Sequence, residues 1–408
     1  MDAIELTTYF DDPGHNEYQR ENFDAFLHKV SFKYTVPSIH IAGSNGKSST
    51  AYYLKNIYRA HGLKVGLFTS PFLIKVNEMI TINGQNISDE DFLKLIKQNN
   101  KLFKKYHLSP FEMQTYIALI YFQQQKCDLA IIECGMGGEI DATNIFTPIM
   151  SVITSISLEH TTCLGRSVSE IALTKAGIIK ERVPVVTGVL DDEALNTVVE
   201  VAAYKKAQVI VSVEPVNVMY ANRGYNFGYT VYKDLRINIP AYYSLKDACI
   251  ALEVVNKLLD RFLVTKREID KGLGQTSLPV RMEIISEQPL IIIDGSHNPE
   301  GIFNLTKSLS NVAESRHIHV LFAAFKDKNI ERMLAFLGEH SQDITLTTFP
   351  HERARKKEDY HLFLEDFPFK ENGIEVLREM ITKYPDNCIL VTGSIAFAAY
   401  VKNGLLGG

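Results

Sequence analysis

Short apolar runs alternate with amphipathic stretches along the first half of the chain. Strands are predicted at 36–42, 64–69, 128–134, 151–155 and 183–187, and helices at 47–61, 89–106, 111–125 and 168–179. The runs at 128–134 and 151–155 are apolar on both faces, which is typical of central strands in a parallel sheet. The alternation therefore predicts a doubly wound α/β domain.

A different pattern occupies residues 213–240, which are rich in Tyr, Asn, Gly and β-branched side chains. We interpret this region as antiparallel strands on the flank of the first domain. Helices are expected to resume at 244–259 and 266–273. The polar segment 275–279, which contains a proline, then predicts a domain boundary.

A second βα series follows this boundary. Strands are predicted at 290–293, 319–322, 344–347 and 389–391, with helices beginning at 299, at 327 and after the last strand. This series predicts a smaller, Rossmann-like α/β domain at the C-terminus. The chain is therefore expected to consist of two α/β domains, at 1–277 and 278–408.

Composition and charge exclude several classes of protein. The 408 residues are 46% hydrophobic and 22% charged, which excludes a mainly disordered chain, a collagen-like repeat and a coiled coil. A net charge of −5 gives no electrostatic footprint for nucleic acid or anionic lipid. The first residues carry no basic region before an apolar stretch, and no apolar run reaches the ~18 residues of a membrane helix. We expect a cytoplasmic protein with no nucleic-acid or membrane partner.

The clearest motif joins a predicted strand to a predicted helix at 41–50, with the sequence Ile-Ala-Gly-Ser-Asn-Gly-Lys-Ser-Ser-Thr. Its glycines let backbone N–H groups turn toward a phosphate, and the helix N-terminus adds positive potential. Lys47 supplies a charge for the β- and γ-phosphates, while Ser48 or Ser49 can reach Mg²⁺. Ile41 stands where the standard P-loop has a further glycine, so this is a shortened variant.

The motif predicts that the N-terminal domain is a P-loop ATPase domain. The nucleotide phosphates are expected to contact Gly43, Ser44, Asn45, Gly46, Lys47, Ser48 and Ser49. A Rossmann dehydrogenase is disfavoured, because the G-x-G-x-x-G spacing is missing and a lysine stands at the phosphate position.

Other candidate residues stand at the carboxyl ends of predicted strands, where ligands bind in open α/β sheets. Ser70 and His160 each follow a strand, and Glu133 stands at a strand tip just before three glycines. A carboxylate in the position of Glu133 is typical of a residue that holds Mg²⁺ near phosphates. His160 could ligate a metal or make a supporting hydrogen bond. Asp141, taken by itself, is typical of a loop or helix-cap acid.

Taken in order, these motifs resemble those of one family. The sequence is similar to the folylpolyglutamate synthases, a group that includes the bifunctional dihydrofolate synthases, within the Mur ligase superfamily. The matching segments are 43–48, 69–71, 133–138, 141–144, 160 and 175–178, followed in the second domain by 294–299, 327–329 and 392–394. The resemblance covers nearly the whole chain, and the motifs together are highly specific.

The resemblance implies an ATP-dependent ligase that works through an acyl phosphate. ATP would phosphorylate a carboxylate of folate or pteroate, and the amino group of L-glutamate would attack it, giving an amide, ADP and phosphate. The implied cofactors are ATP and two Mg²⁺ ions. The implied partners are these small molecules, and a monomer is expected.

The same resemblance assigns roles to individual residues. The implied Mg²⁺ ligands are Ser70, Glu133, His160 and Lys175. Lys175 matches a carbamylated lysine, although the helical pattern alone predicts an exposed amine. Nucleotide contacts are implied for Asp247, Arg281 and Asp294, substrate contacts for Phe111, Glu112, Lys75 and Ser394, and catalytic roles for Lys47, Lys175, Asp294 and His297.

The sequence departs from the family pattern at three places, which changes the expected contacts to glutamate and adenine. Ser48 stands where the family commonly has Gly. Met79 replaces an arginine associated with the incoming glutamate, which predicts weak glutamate binding unless Lys75 substitutes. The family's His-Gln-x-x-Asn segment near the adenine reads Tyr-Ser-Leu-Lys-Asp at 243–247. The phosphoryl-transfer residues are unaffected.

Alternatives to a folate ligase stay open at this level. One is a ligase of the same superfamily that uses a different acid or amino acid. Others are a P-loop switch or kinase and a non-catalytic P-loop nucleotide-binding protein. Phosphate release measured with folate, with and without glutamate, distinguishes them.

Overall fold

The computed structural model describes residues 20–158 and 163–406. These residues form two compact units. The first unit contains 20–158, 163–215 and Lys246–Thr276, and the second contains Val216–Leu245 and 277–406.

The first unit is built on one mainly parallel sheet. Its strands are β1 (Ser38–Ala42), β2 (Val65–Phe68), β3 (Ile80–Ile82), β4 (Gln85–Asn86), β5 (Leu129–Glu133), β6 (Met150–Ile153), β7 (Val185–Thr187) and β8 (Val209–Val211). The strand order is β4-β3-β2-β5-β1-β6-β7-β8, parallel throughout except at β3 and β4. The central strands β1 and β5 are buried at every position, which explains their continuous apolar sequence.

Helices connect these strands, as the alternation predicts. They are α1 (Arg20–Lys29), α2 (Lys47–Ala60), α3 (Asp89–Lys105), α4 (Pro110–Gln124), α5 (Val168–Ala176), α6 (Asp192–Tyr204), α7 (Tyr243–Lys257, which begins in the second unit) and α8 (Lys266–Gly274). A serine or threonine caps the N-terminus of α3, α4, α5 and α8 by accepting a hydrogen bond from the N–H three residues on. Local sequence therefore sets where these helices begin.

Two apolar clusters hold the first unit together. One is rich in aromatic rings from α1, α3 and α4, in which the rings of Phe26 and Tyr116 meet edge to face at 4.8 Å. The other joins α5 and α6 to β6 and β7 through Ile171, Val198 and Val185. No helix among the described residues is long and apolar enough to cross a membrane.

The second unit contains a six-stranded sheet and a three-stranded sheet. Its strands are β9 (Val216–Ala221), β10 (Gly224–Tyr229), β11 (Tyr232–Ile237), β12 (Glu283–Glu287), β13 (Leu290–Ile293), β14 (Ile318–Phe322), β15 (Asp343–Thr348), β16 (Phe369–Asn372) and β17 (Cys388–Thr392). The larger sheet has the order β12-β13-β17-β14-β15-β16 and is parallel except at β12. Its helices are α9 (Pro299–Ala313), α10 (Ile330–Gly338), α11 (Gly373–Lys383) and α12 (Ile395–Leu406).

The three strands β9, β10 and β11 are antiparallel, as expected for 213–240. They belong to the second unit, however, and not to the flank of the first. Hydrogen bonds explain this placement, because Arg223 donates to the carbonyl of Val312 at 2.7 Å and to Glu287 at 2.8 Å. The backbone N–H of Tyr242 also donates to Ser308 at 2.8 Å.

Met79 lies inside the aromatic cluster of the first unit. It ends a short 3₁₀ turn (Val76–Met79), and only 3% of its surface is exposed. The side chain at this position therefore packs in the core. The weaker glutamate binding expected from the absence of an arginine here stays a prediction.

Replacing Met79 with arginine is expected to lower the free energy of unfolding by about 3 kcal/mol or more, because a charge would enter an apolar cluster. Met79→Leu conserves volume and should cost less than about 1.5 kcal/mol. Urea unfolding followed by circular dichroism measures both. An arginine variant as stable as the leucine variant would show that this side chain can leave the core.

Candidate active site

Four chain segments meet at the carboxyl edge of the first sheet because they follow adjacent parallel strands. The strands β2, β5, β1 and β6 are neighbours in that order. Ser70 follows β2, Glu133 ends β5, the phosphate loop 43–46 follows β1, and Thr154 follows β6. The structure thus brings together predicted phosphate and metal residues that are far apart in sequence, at the edge where open α/β sheets bind ligands.

The carbonyl oxygens of the phosphate loop point toward donors within the same unit. Nζ of Lys47 donates to the carbonyl of Gly43 at 2.8 Å. The hydroxyls of Thr154 and Ser155 donate to the carbonyl of Asn45 at 2.6 and 3.0 Å. The first turn of α2, which follows the loop, has N–H groups without intrahelical acceptors. This arrangement can bind a phosphate.

Gly46 is the N-cap of α2 and has a left-handed φ of +85°. No side chain caps the helix at this position. The Asp247 carboxylate lies directly beside it, because a Cβ on Gly46 would stand 2.2 Å from Asp247 Oδ1. Asp247, for which the family resemblance implies a nucleotide contact, therefore borders the phosphate loop.

Ser48 and Glu133 form an oxygen-rich pair at the start of α2. Oγ of Ser48 donates to the Glu133 carboxylate, whose oxygens lie 2.8 and 2.9 Å away. Ser49 is buried in α2, so Ser48 is the better placed of the two serines. Among the described residues, no group of three His, Cys, Asp or Glu side chains could hold a metal ion. A cation at this pair would therefore share its ligands with nucleotide phosphates, as Mg²⁺ commonly does.

Lys175 is buried, with 1% of its surface exposed, and its Nζ donates to the carbonyl of Gly43 at 3.0 Å. The prediction of an exposed lysine from the helical pattern is wrong, because the loop after β5 covers the end of α5. Gly138 in that loop has no room for a Cβ, which would lie 2.6 Å from the Lys175 carbonyl oxygen. Lys175 and Lys47 thus donate to the same carbonyl oxygen.

Of the two remaining candidate metal ligands, Ser70 and His160, the structure describes only Ser70. Ser70 is half-buried at the end of β2, on the strand next to the one that ends at Glu133. His160 lies outside the described residues, so its place in the site stays a prediction.

The predicted substrate residues of the first unit have distinct surroundings. The Phe111 ring packs on Gly135, whose Cβ would lie 2.5 Å from it, and stands 5.8 Å from the Phe68 ring. Glu112 is fully buried and accepts hydrogen bonds from N and Oγ of Ser109 at 2.7 and 2.6 Å. Burial raises the pKa of the Glu112 carboxyl. The described contacts of Glu112 thus cap α4. Lys75, the third predicted substrate residue of this unit, is exposed in the loop after β2.

In the second unit, Asp294 organises the turn that follows β13. One of its oxygens accepts from the Tyr243 hydroxyl at 2.6 Å and from the Met282 N–H at 2.8 Å. The other accepts from the Ser296 N–H at 2.8 Å. The carboxylate is fully buried, so its described contacts shape the turn.

The other predicted residues of the second unit lie around this turn. Arg281 directly precedes Met282, and its side chain makes no hydrogen bond or ion pair within the part of the chain that the structure describes. His297 donates from Nδ1 to the carbonyl of Gly295 at 3.2 Å. Ser394 is buried and follows Gly393, whose N–H donates to the carbonyl of Ser296 at 3.1 Å. The turn therefore brings these predicted residues together.

Two side chains that hydrogen-bond to predicted functional residues were not identified from the sequence. Thr154 holds the phosphate loop, and Tyr243, noted only as a departure from the family, holds Asp294. The position of Thr154 at the end of an apolar strand adjacent to β1 is a signal that could have identified it.

Comparison with known proteins first defines a class. The Mur ligase middle domain matches residues 41–219, and the Mur ligase, glutamate ligase domain matches residues 280–395. The fold is thus that of a Mur ligase.

Whole-chain comparisons narrow this class to one family. The chain is 32% identical over 386 residues to folylpolyglutamate synthase of Lacticaseibacillus casei, covering 91% of this chain and 90% of that protein. It is 31% identical over 390 residues to dihydrofolate synthase/folylpolyglutamate synthase of Bacillus subtilis, with the same coverage. Folylpolyglutamate synthase of Mycobacterium tuberculosis, complexed with ADP and AMPPCP, superposes with a TM-score of 0.90 at 25% identity, covering 100% of this chain and 98% of that one. The chain belongs to the folylpolyglutamate synthase/dihydrofolate synthase family.

The contact between Gly46 and Asp247 predicts that Gly46→Ala weakens nucleotide binding about tenfold or more, a loss of about 1.4 kcal/mol. The added methyl group would have to displace the Asp247 carboxylate or shift the loop. Gly62→Ala is the matched control, because Gly62 also has a positive φ, of +99°, but an added Cβ there meets no atom within 4 Å. Calorimetric titration with AMPPCP measures both. Equal affinities would show that this contact does not shape the loop.

Proposed function

We propose that this protein is an ATP-dependent ligase that adds L-glutamate to folate through an acyl phosphate. The observation that carries the proposal is the Ser48–Glu133 pair beside Lys47, at the edge of a sheet whose phosphate loop opens α2. A folylpolyglutamate synthase in complex with AMPPCP and folate superposes on this chain with a TM-score of 0.88 at 28% identity, and both chains are fully covered. That structure supports both a nucleotide and a folate as ligands of this fold.

The proposed reaction has two steps. A carboxylate oxygen of the folate attacks the γ-phosphorus of ATP, which breaks the bond to the β-phosphate oxygen and releases ADP. The glutamate nitrogen then attacks the acyl carbon, phosphate leaves, and the nitrogen loses a proton as the amide forms. Phosphoryl transfer depends mainly on positioning and charge stabilisation. Lys47 and the first turn of α2 supply both.

The donor set fits magnesium. Ser48 and Glu133 offer oxygen atoms within 3 Å of each other, and Mg²⁺ prefers oxygen ligands and retains waters. When bound, the cation neutralises phosphate charge and polarises the γ-phosphoryl group. Ser70 and His160 are proposed as further ligands, in line with the family resemblance.

Lys175 is proposed to act as a carbamate. Its buried amine lies near that of Lys47, since both donate to the Gly43 carbonyl. Carbamylation of Lys175 replaces one of two neighbouring positive charges with a negative one. The neutral amine adds to CO₂ with loss of a proton, giving an anionic group with two oxygens that suits a second Mg²⁺ ion.

Roles in the second unit are proposed residue by residue. Arg281, whose guanidinium makes no contact with an acid among the described residues, is proposed to bind the nucleotide phosphates. Asp294, held by three donors, is proposed to set the turn that carries His297. Ser394 is proposed to contact the glutamate substrate, and Phe111 the pterin ring.

Lys47→Ala is expected to reduce ligation about a hundredfold or more with little loss of fold, because the lysine charge stabilises the transferring phosphoryl group. Lys97→Ala, which removes an exposed lysine from α3, is the control and should retain wild-type activity. The measurement is ADP release with a panel of pteroates and amino acids. Activity of Lys47→Ala within about threefold of wild type would contradict the phosphate-loop assignment, and release without an amino acid would contradict the ligase.

Lys175→Ala is expected to lose most activity and to regain part of it with acetate or formate, which can fill the space of a carbamate. Lys175→Arg should not recover, because arginine retains a positive charge. NMR of the wild-type protein equilibrated with ¹³C-bicarbonate should show a carbamate signal that Lys175→Ala lacks. Full activity in Lys175→Arg would refute the modification.

A further inference from the structure

A buried polar network lies beside the loop that follows Glu133, and no step of the proposed reaction uses it. Its centre is the Thr143 hydroxyl, which lies 2.5 Å from Asp141 Oδ1 and 2.8 Å from His40 Nε2. Cys134 Sγ lies 3.1 Å from the same histidine nitrogen. All four side chains are buried.

Hydrogen-bond chemistry gives the network a direction. Thr143 has one hydroxyl hydrogen, and the shorter contact assigns it to the Asp141 carboxylate. His40 must then donate from Nε2 to the Thr143 oxygen. Burial lowers the pKa of His40 to about 3, so the ring is neutral. Its Nδ1 then has no hydrogen and no partner among the described residues. The chain of donors runs from His40 through Thr143 to Asp141.

Asp141 in turn fixes the segment immediately after Glu133. Its second oxygen accepts from the N–H of Met136 at 2.8 Å, and its first also accepts from the N–H of Thr143 at 2.9 Å. The network therefore joins this segment to β1, the strand of His40, which leads into the phosphate loop.

Asn144 makes a second connection, toward Lys175. Its Nδ2 donates to the carbonyls of Glu139 at 3.0 Å and Gly177 at 3.2 Å. The N–H of Glu139 donates to the carbonyl of Thr174 at 2.9 Å. One amide group thus joins the loop after β5 to the end of α5.

We infer that Thr143 and Asn144 are positioning residues for the divalent-cation site. Their hydrogen bonds connect the strand before the phosphate loop, the segment after Glu133 and the end of the helix that carries Lys175. Neither side chain contributes a ligand atom. The inference rests on the proposed function, because it requires Glu133 and Lys175 to hold the cation. Supporting hydrogen bonds of this kind act on a metal site by orienting the segments that carry its ligands.

The test is Mn²⁺ binding, followed by electron paramagnetic resonance in the presence of AMPPCP, which needs no turnover. Thr143→Val removes the hydroxyl at constant volume and is expected to raise the Mn²⁺ dissociation constant about tenfold, as for other supporting residues of metal sites. Thr143→Ser restores the hydroxyl and should bind within about twofold of wild type. AMPPCP affinity measured in EDTA should be unchanged in both.

Thr187→Val is the matched control for loss of a buried hydroxyl. Thr187 is fully buried in β7, and its hydroxyl makes hydrogen bonds to the carbonyl of Ile153 and from the N–H of Val189. This variant should lose thermal stability to a similar extent without a change in Mn²⁺ affinity. If Thr143→Val does not fold, Asn144→Ala is judged by the same criterion.

The outcomes separate this inference from the proposed function. If the wild type binds Mn²⁺ and the folded Thr143→Val variant binds it with the same affinity, the positioning role is overturned. The proposed ligase function is then unaffected. A tenfold loss in Thr187→Val as well would make the effect one of general stability and would also overturn it. Absence of nucleotide-dependent Mn²⁺ binding in the wild type overturns both proposals.

Discussion

The carbonyl oxygens of the phosphate loop need hydrogen-bond donors, because a buried backbone acceptor without a partner is costly. Lys47 from α2 and Lys175 from α5 both donate hydrogen bonds to the Gly43 carbonyl. The hydroxyl of Thr154, which follows β6, donates to the Asn45 carbonyl. The loop therefore depends on three elements that only the folded sheet brings together. Because these donors bind its carbonyl oxygens, the loop leads into α2 with the N-terminus of the helix at the carboxyl edge of the sheet, where ligands bind.

Charge around the loop is balanced by the same contacts. The Lys47 amine beside the Gly43 carbonyl supplies positive potential where phosphates would bind. Two carboxylates border the same loop, since Glu133 accepts from Ser48 and Asp247 lies against Gly46. A site with both signs of charge suits a magnesium–nucleotide complex better than a bare anion, because Glu133 can bind the cation and Lys47 the phosphates.

Sequence periodicity located most of the elements of both units. β1 and α2 are predicted to within two residues, because a buried apolar run and a glycine-lysine start are strong local signals. The strands β3, β4, β8, β12 and β16 and the helices α1, α6 and α11 were not predicted. These strands are short and partly exposed, so they lack a continuous apolar run. Burial of Lys175 and Met79 also escaped local analysis, since distant segments of the chain cover them.

A family resemblance identifies which residues recur, but the surroundings decide what each can do. The segment 243–247 departs from the family pattern at both ends, and each end has a contact within its own unit. Tyr243 donates to Asp294, so a hydroxyl helps to saturate the carboxylate that shapes the turn before His297. Asp247 borders Gly46, where a carboxylate accepts hydrogen bonds but cannot donate one. The departures therefore change the donors and acceptors next to the two predicted nucleotide-contact regions while leaving Lys47, Ser48 and Glu133 as they are. Any effect on catalysis should then appear first in nucleotide affinity, with the phosphoryl-transfer step less affected.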